Sequence, residues 1–349
     1  MAVLTLTFGV SALTEPAYSA EPSSNSHGAP TDTKGGADNT SIYAAAKIQY
    51  SGAVTKTGST GNVTSTDVNW APPPCWYAPY LGAKDFKKKM SGQIESAKNT
   101  PGMGGTAGAA IGEMQRHYED EYGWTDTPGY KDYNVDKDGE GMFWAAVENP
   151  DEPDILKRSS CNDLPFWVEN GDTPPARYEE ALSPEILAAL AYQRMQLPDT
   201  KVTLAPEATT KVNLPTWAWL DKAVFNEVQA TAALDVPGFN IRATTTAKPV
   251  ALKLEPGTAD AETFPASGEC VFNADGSIGK PYTKGDAGRT PPCGIRYLHS
   301  SGDGVFKLRA TITWKISWTG TGNAGDDLPD GTFGTTQDIT VQEIQAVVR

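Results

Sequence analysis

Three short stretches carry residue types that could do chemistry. The first is Asn134-Val135-Asp136-Lys137-Asp138-Gly139. Oxygen donors at alternate positions ahead of a glycine are how an EF-hand calcium loop begins. The twelfth position of such a loop supplies a bidentate glutamate, and here it is Ala145. Asp136 and Asp138 are therefore a weak calcium candidate, and an acidic turn built by Asp, Asn and Gly is the simpler reading. The second stretch is Glu119-Asp120-Glu121, with His117 just before it. Such a cluster could serve a glycan hydrolase as general acid and base. Adjacent helical residues diverge, however, so only a subset could converge, and no second pattern marks a partner carboxylate. The third is LPTWAWLD, where Trp217 and Trp219 lie two apart and share one face of a strand. Two indoles on one face make a stacking platform for sugar rings, or else a piece of core.

Other chemistries lack their residues. The chain has only three histidines, His27, His117 and His299, with no H-E-x-x-H and no G-x-S-x-G elbow. The nearest approach to a phosphate loop, Gly276-Ser277-Ile278-Gly279-Lys280-Pro281, has the wrong spacing and a proline where the magnesium-binding hydroxyl belongs. No cofactor is expected, and a non-catalytic protein is preferred over a hydrolase.

Composition bounds the partners. The 349 residues carry a net charge of −14 and are 39% hydrophobic, with a pI near 4.7. A nucleic acid or an anionic membrane would repel such a chain over a Debye length of roughly 8 Å. The basic run KDFKKK, with Lys84, Lys87, Lys88 and Lys89, reads as the solvated face of a helix. Residues 1–20 resemble a secretory signal: a short apolar run from Ala2 to Leu13, then Ala17-Tyr18-Ser19 ahead of Ala20, without a basic start. No other segment has the roughly 18 apolar residues that a spanning helix needs. Residues 21–67 are a Ser, Thr and Gly-rich linker, with glycosylation patterns at Asn39-Thr40-Ser41 and Asn62-Val63-Thr64.

The positioning elements follow from periodicity. Phe86, Met90 and Ile94 recur at four-residue spacing and predict a helix over 84–97; a second is expected over 107–122. Ser183 caps a third, with Pro184 at its first position. The expected architecture over 68–199 is thus a mainly helical domain. From 200 to 349 the period is two, most clearly in VFKLRATITWKISW, where Trp314 and Trp318 share the inward face with Ile312 and Ile316. About seven short strands, including 225–234, 240–246, 250–254 and 339–348, predict an immunoglobulin-like β-sandwich. The class is α+β, in two domains.

Four cysteines fit an oxidising compartment. They permit three connectivities, and pairing Cys75 with Cys161 and Cys270 with Cys293 keeps each bridge inside one domain. In VNWAPPPCWYAPY, the run Pro72-Pro73-Pro74 then becomes a stiff strap fastened by Cys75, with Trp70, Trp76 and Tyr77 covering a small core. The alternative is an exposed polyproline ligand for an aromatic groove.

PPPCWY, the segment from Gly139 to Trp144, SPEILAALAYQRMQLP, NLPTWAWLD, the Cys270 and Cys293 pair, ITWKISWTG and VQEIQAVV together resemble a family of secreted actinobacterial proteins. Its members often carry ATP/GTP-binding labels, which no motif here supports. The resemblance covers nearly everything after residue 68 and implies a PKD-like C-terminal sandwich, a surface module used for spacing, adhesion or protein contact. The W-x-x-G-D-G turn of PKD domains is replaced by Leu254-Glu255-Pro256-Gly257-Thr258-Ala259-Asp260. The expected function is binding or assembly at the cell envelope, with a protein or glycan partner and no nucleotide or nucleic acid.

Overall fold

The computed structural model describes residues 48–52, 60–102, 104–124, 127–198, 201–220, 226–286 and 288–344. The signal-like segment, most of the linker and the Asn39 sequon lie outside these residues. Among the described residues the protein is mostly β, 44% strand against 21% helix, in several separate sheets. It forms two compact units, one of Pro73–Leu182 with Leu234–Asn240, the other of Gln49–Pro72, Ser183–Ala233 and the residues from Ile241 onward.

The first unit overturns the expectation of a mainly helical domain. Its frame is an antiparallel sheet of β1 (Cys75–Leu81), β2 (Gly141–Glu148) and β3 (Phe166–Glu169), in that order. All seven residues of β1 are buried, so the strand shows no alternation in sequence. Pro79 cannot donate to a ladder, and it sits on an outer strand where the register with β2 shifts. Two helices cover the sheet's aromatic residues: α1 (Ala83–Lys98) and α2 (Gly105–Glu119); α3 (Ile155–Arg158) is one turn. Phe86, Met90 and Ile94 of α1 are buried as their spacing requires, in a cluster with Tyr118, Tyr133 and Phe143. The Phe86 and Phe143 rings stack at 3.8 Å. The strap ends here: buried Asn149 donates from Nδ2 to the Pro73 carbonyl and from its backbone N–H to that of Pro74, both at 2.9 Å. Cys75 is bonded to Cys161.

The second unit also departs from expectation. Its main sheet has eight strands, built on four antiparallel neighbours in the order β4 (Val228–Val236), β5 (Phe239–Glu255), β6 (Phe306–Gly320) and β7 (Ala324–Gln342), with four short strands inserted in sequence between β5 and β6. This replaces the seven short strands of an immunoglobulin or PKD-like sandwich. The predicted strands at 240–246 and 250–254 are one strand, because Pro249 falls beside a register shift that absorbs its missing donor. The last strand starts earlier than predicted and runs over Ala324–Gln342; of the expected 339–348, residues 345–348 lie outside the described ones. On β6 the predicted alternation holds, with Leu308, Ala310, Ile312, Trp314, Ile316 and Trp318 buried. Against this sheet packs α4 (Pro184–Gln193), whose first turn is capped by Ser183 accepting from the Ile186 N–H at 3.2 Å. Thr245 of β5, fully buried, donates to the Ala188 carbonyl of this helix at 2.9 Å. Trp70 belongs to this unit and lies against Tyr192 at 4.6 Å, not against the core that Trp76 and Tyr77 fill. A smaller sheet gathers Thr203–Ala205, Thr216–Leu220, Ala261–Phe264, Ile278–Gly279 and Gly294–Tyr297, beside the Cys270–Cys293 bridge.

Candidate functional site

The predicted site residues do not assemble as three sites. Trp217 and Trp219 stand on the strand Thr216–Leu220, flanked by strands on both sides. Trp217 is 4% exposed, and Trp219 is half-buried. The Trp217 ring meets Tyr282 at 5.9 Å and the Lys280 ammonium at 5.9 Å. Lys280 in turn binds the buried Asp286 at 3.1 Å. This indole is therefore filling beneath the disulfide loop rather than a platform. Asp286 also accepts from the Thr283 hydroxyl and backbone, which with Lys280 hold it below the usual carboxylate range.

The calcium candidates are parted. Asp138 turns to the start of α1: its Oδ1 accepts the Lys84 backbone N–H at 3.2 Å, and Oδ2 pairs with the Lys84 ammonium at 3.1 Å. These contacts hold its carboxyl below the usual range. The cap of α1 is Gly82, which has no side chain to offer, so Asp138 supplies the missing acceptor from outside the helix. Asp136 points elsewhere. The intervening turn is a 3-10 helix, Asp132–Lys137, with Tyr133 and Asn134 in the left-handed region. Among the described residues no three His, Cys, Asp or Glu side chains gather as a metal site.

The acid cluster also splits. Glu119 faces inward, accepting from Gln115 Nε2 at 2.7 Å and from the Tyr133 hydroxyl at 3.1 Å. His117 is fully buried, so α2 presents it to the core. Its Nδ1 donates to the Tyr122 carbonyl at 2.9 Å, which fixes the tautomer, and its Nε2 has no partner. Burial lowers its pKa below the ordinary histidine value.

What these segments do build is a cleft in the first unit, of about 540 Å³, that brings Glu121 and Asp136 together. Its floor and walls are aromatic: Tyr130, Phe166, Trp167 and Tyr178. Around them stand Lys131, Asn134, Lys137 and Arg177. The rings are fixed by their own bonds. The Tyr130 hydroxyl accepts the Trp167 backbone N–H at 3.1 Å, and burial pushes its pKa up to about 12. Phe166 and Tyr178 stack at 3.4 Å. The Arg177 guanidinium covers the Tyr178 ring at 4.4 Å and donates to the Thr127 hydroxyl at 2.6 Å and to the Tyr178 hydroxyl. Lys137 pairs with Glu169 at 2.9 Å, which raises its pKa.

One wall is a hairpin over residues 120–131. Its ladder runs from Asp120 opposite Lys131, through the Glu121 N–H donating to the Tyr130 carbonyl at 3.0 Å, to Trp124 opposite Thr127. Gly129 is required there, since a Cβ would lie 2.3 Å from the Glu121 backbone. Of the four cleft rings Trp167 alone is half-buried, so the cleft offers one aromatic surface beside several charged groups, which suits a polyhydroxylated ligand whose hydroxyls need donors and acceptors. Sequence reasoning missed Tyr130, Trp167, Arg177 and Tyr178. The one local signal was EYGWTDTPGYK, a turn rich in Gly and Pro bounded by aromatic residues. No family model, no curated protein and no solved structure matches the chain.

Proposed function

We propose that this is an exported, non-catalytic binding protein that contacts a glycan at the cell envelope. The observation that carries the reading is the cleft of the first unit, whose lining sets the half-buried Trp167 with Glu121, Lys131, Asn134 and Asp136. Glu121 and Asp136 are both exposed. Export is compatible with the two disulfides, and among the described residues no helix is long and apolar enough to cross a membrane. Surface assembly is the role that the family resemblance implies.

One observation favours a second reading. Glu121 and Asp136 line the same cleft, as the carboxylates of a glycan hydrolase would. In that case one carboxyl would protonate the departing glycosidic oxygen, and the other would take a proton from the attacking water.

A single assay separates the two readings. The purified protein is incubated with isolated cell wall and with chitin, and both retained protein and released reducing ends are measured. Retention without release is expected, with Asp136→Asn and Lys131→Gln weakening retention. Release that disappears in Glu121→Gln would establish the hydrolase instead.

A further inference from the structure

We infer that the hairpin over residues 120–131 carries an outer sugar-stacking subsite whose floor is the indole of Trp124. The inference rests on the glycan reading of the cleft and extends it to an oligosaccharide. Trp124 remains 37% exposed, which by itself means little, because single exposed aromatic residues are common. What sets it apart is how firmly it is held. One face of the indole lies on the buried His117 imidazole, with centroids 4.5 Å apart and planes 29° apart. The imidazole is anchored by its Nδ1–H bond to the Tyr122 carbonyl. The Tyr122 ring stands edge-on to the indole at 6.0 Å and is itself covered by the Arg116 guanidinium at 4.5 Å.

The two described arms that flank the ring, 120–124 and 127–131, are equally constrained. Trp124 and Thr127 exchange both backbone bonds, at 2.9 and 3.0 Å. At Gly123 a Cβ would come within 2.8 Å of the Thr127 carbonyl oxygen, so the two arms sit closer than side chains permit. A ring oriented before the ligand arrives loses little freedom on binding, which is how aromatic residues gain affinity at recognition surfaces.

The base of the hairpin belongs to the cleft, whose wall includes Glu121, Gly129, Tyr130 and Lys131, and Trp124 stands three residues beyond Glu121 on the same arm. A saccharide long enough to extend from the cleft along that arm would reach the indole, one face of which lies on His117.

The test is calorimetric titration of the full protein with short and long N-acetylglucosamine oligomers. Wild type is compared with Trp124→Leu, which keeps apolar bulk without a flat ring, and with Trp124→Phe, which keeps a ring over the imidazole. Melting curves confirm that each variant is folded. Short oligomers are expected to bind all three proteins alike. Long oligomers should bind wild type more tightly than short ones, and Trp124→Leu should lose roughly five- to tenfold of that affinity, with Trp124→Phe in between. Equal binding of long oligomers by wild type and Trp124→Leu overturns the subsite while leaving the cleft reading intact. If neither short nor long oligomers bind any of the proteins, the glycan reading fails and the subsite falls with it.

Discussion

The two units bury their cores with different materials. In the first, the interior is largely aromatic, with Phe86, Tyr118, Tyr130, Tyr133 and Phe143 drawn from two α-helices, a 3-10 helix, a strand and a hairpin arm. In the second, β6 lines its inner face by plain alternation, and one helix covers it. An alternating sheet needs only a regular repeat, whereas the aromatic cluster depends on segments far apart in the chain. The cleft proposed for glycan binding lies in the irregular region, since clefts form where packing is not periodic.

The disulfides sharpen this contrast most. Cys75 and Cys161 are 86 residues apart and Cys270 and Cys293 only 23. Loop-closure entropy makes the first worth about 4.5 kcal/mol and the second about 3.5 kcal/mol. Replacing each pair by alanine should give the larger loss of stability in the first unit, measured by hydrogen exchange in β1 to β3. An equal or reversed order would mean that the first unit stands without its staple. Next in size is Ile312→Ala on the inner face of β6, expected to cost about 3 kcal/mol in denaturant titration. A cost below 1 kcal/mol, by the same scale of buried methylenes, would show the sheet to be loosely packed.

Helix starts come third. Ser183→Ala removes a cap adjacent in sequence, and Asp138→Ala removes one supplied from a distant turn. Each should cost about 1 kcal/mol. If only Ser183→Ala registers, the distant carboxylate is ornamental.

The smallest effect is in pH. Burial depresses the pKa of His117 in the folded state, so the unfolded chain binds the proton more readily. The stability contributed by neutral His117 is complete above its unfolded value of about 6.5 and is lost as pH falls through that value toward the folded pKa. Wild type should therefore lose melting temperature between about pH 7 and pH 5. His117→Gln should show a shallower decline, and identical slopes would remove His117 from the account.

Legibility followed the same division. The stripe of Phe86, Met90 and Ile94, the Ser183 cap and the alternation along β6 could all be read, because each is a local repeat or a local stop signal. β1 and β2 could not. A strand whose seven residues are all buried has no period, and CWYAPYL also contains a proline. The short strands predicted for an immunoglobulin sandwich failed for a related reason, since Pro249 looks like a break and is accommodated at a register shift. The cleft was legible only in fragments. Glu121 and Asp136 were each singled out in separate motifs, while Trp167 and Arg177 join them through folding alone. His117 carried the opposite lesson, because a histidine beside a run of acids turned out to support an indole.

The edges of the second unit's main sheet bear on how this protein behaves at high concentration. Gln49–Gly52 runs along β4, and Thr64–Ser65 and Thr209–Lys211 each cover part of β7. At Ala230–Ala233 of β4 and at Gly331–Thr332 and Thr340–Gln342 of β7 the backbone donors and acceptors are thus already paired, so a neighbouring molecule would find no template for strand addition there.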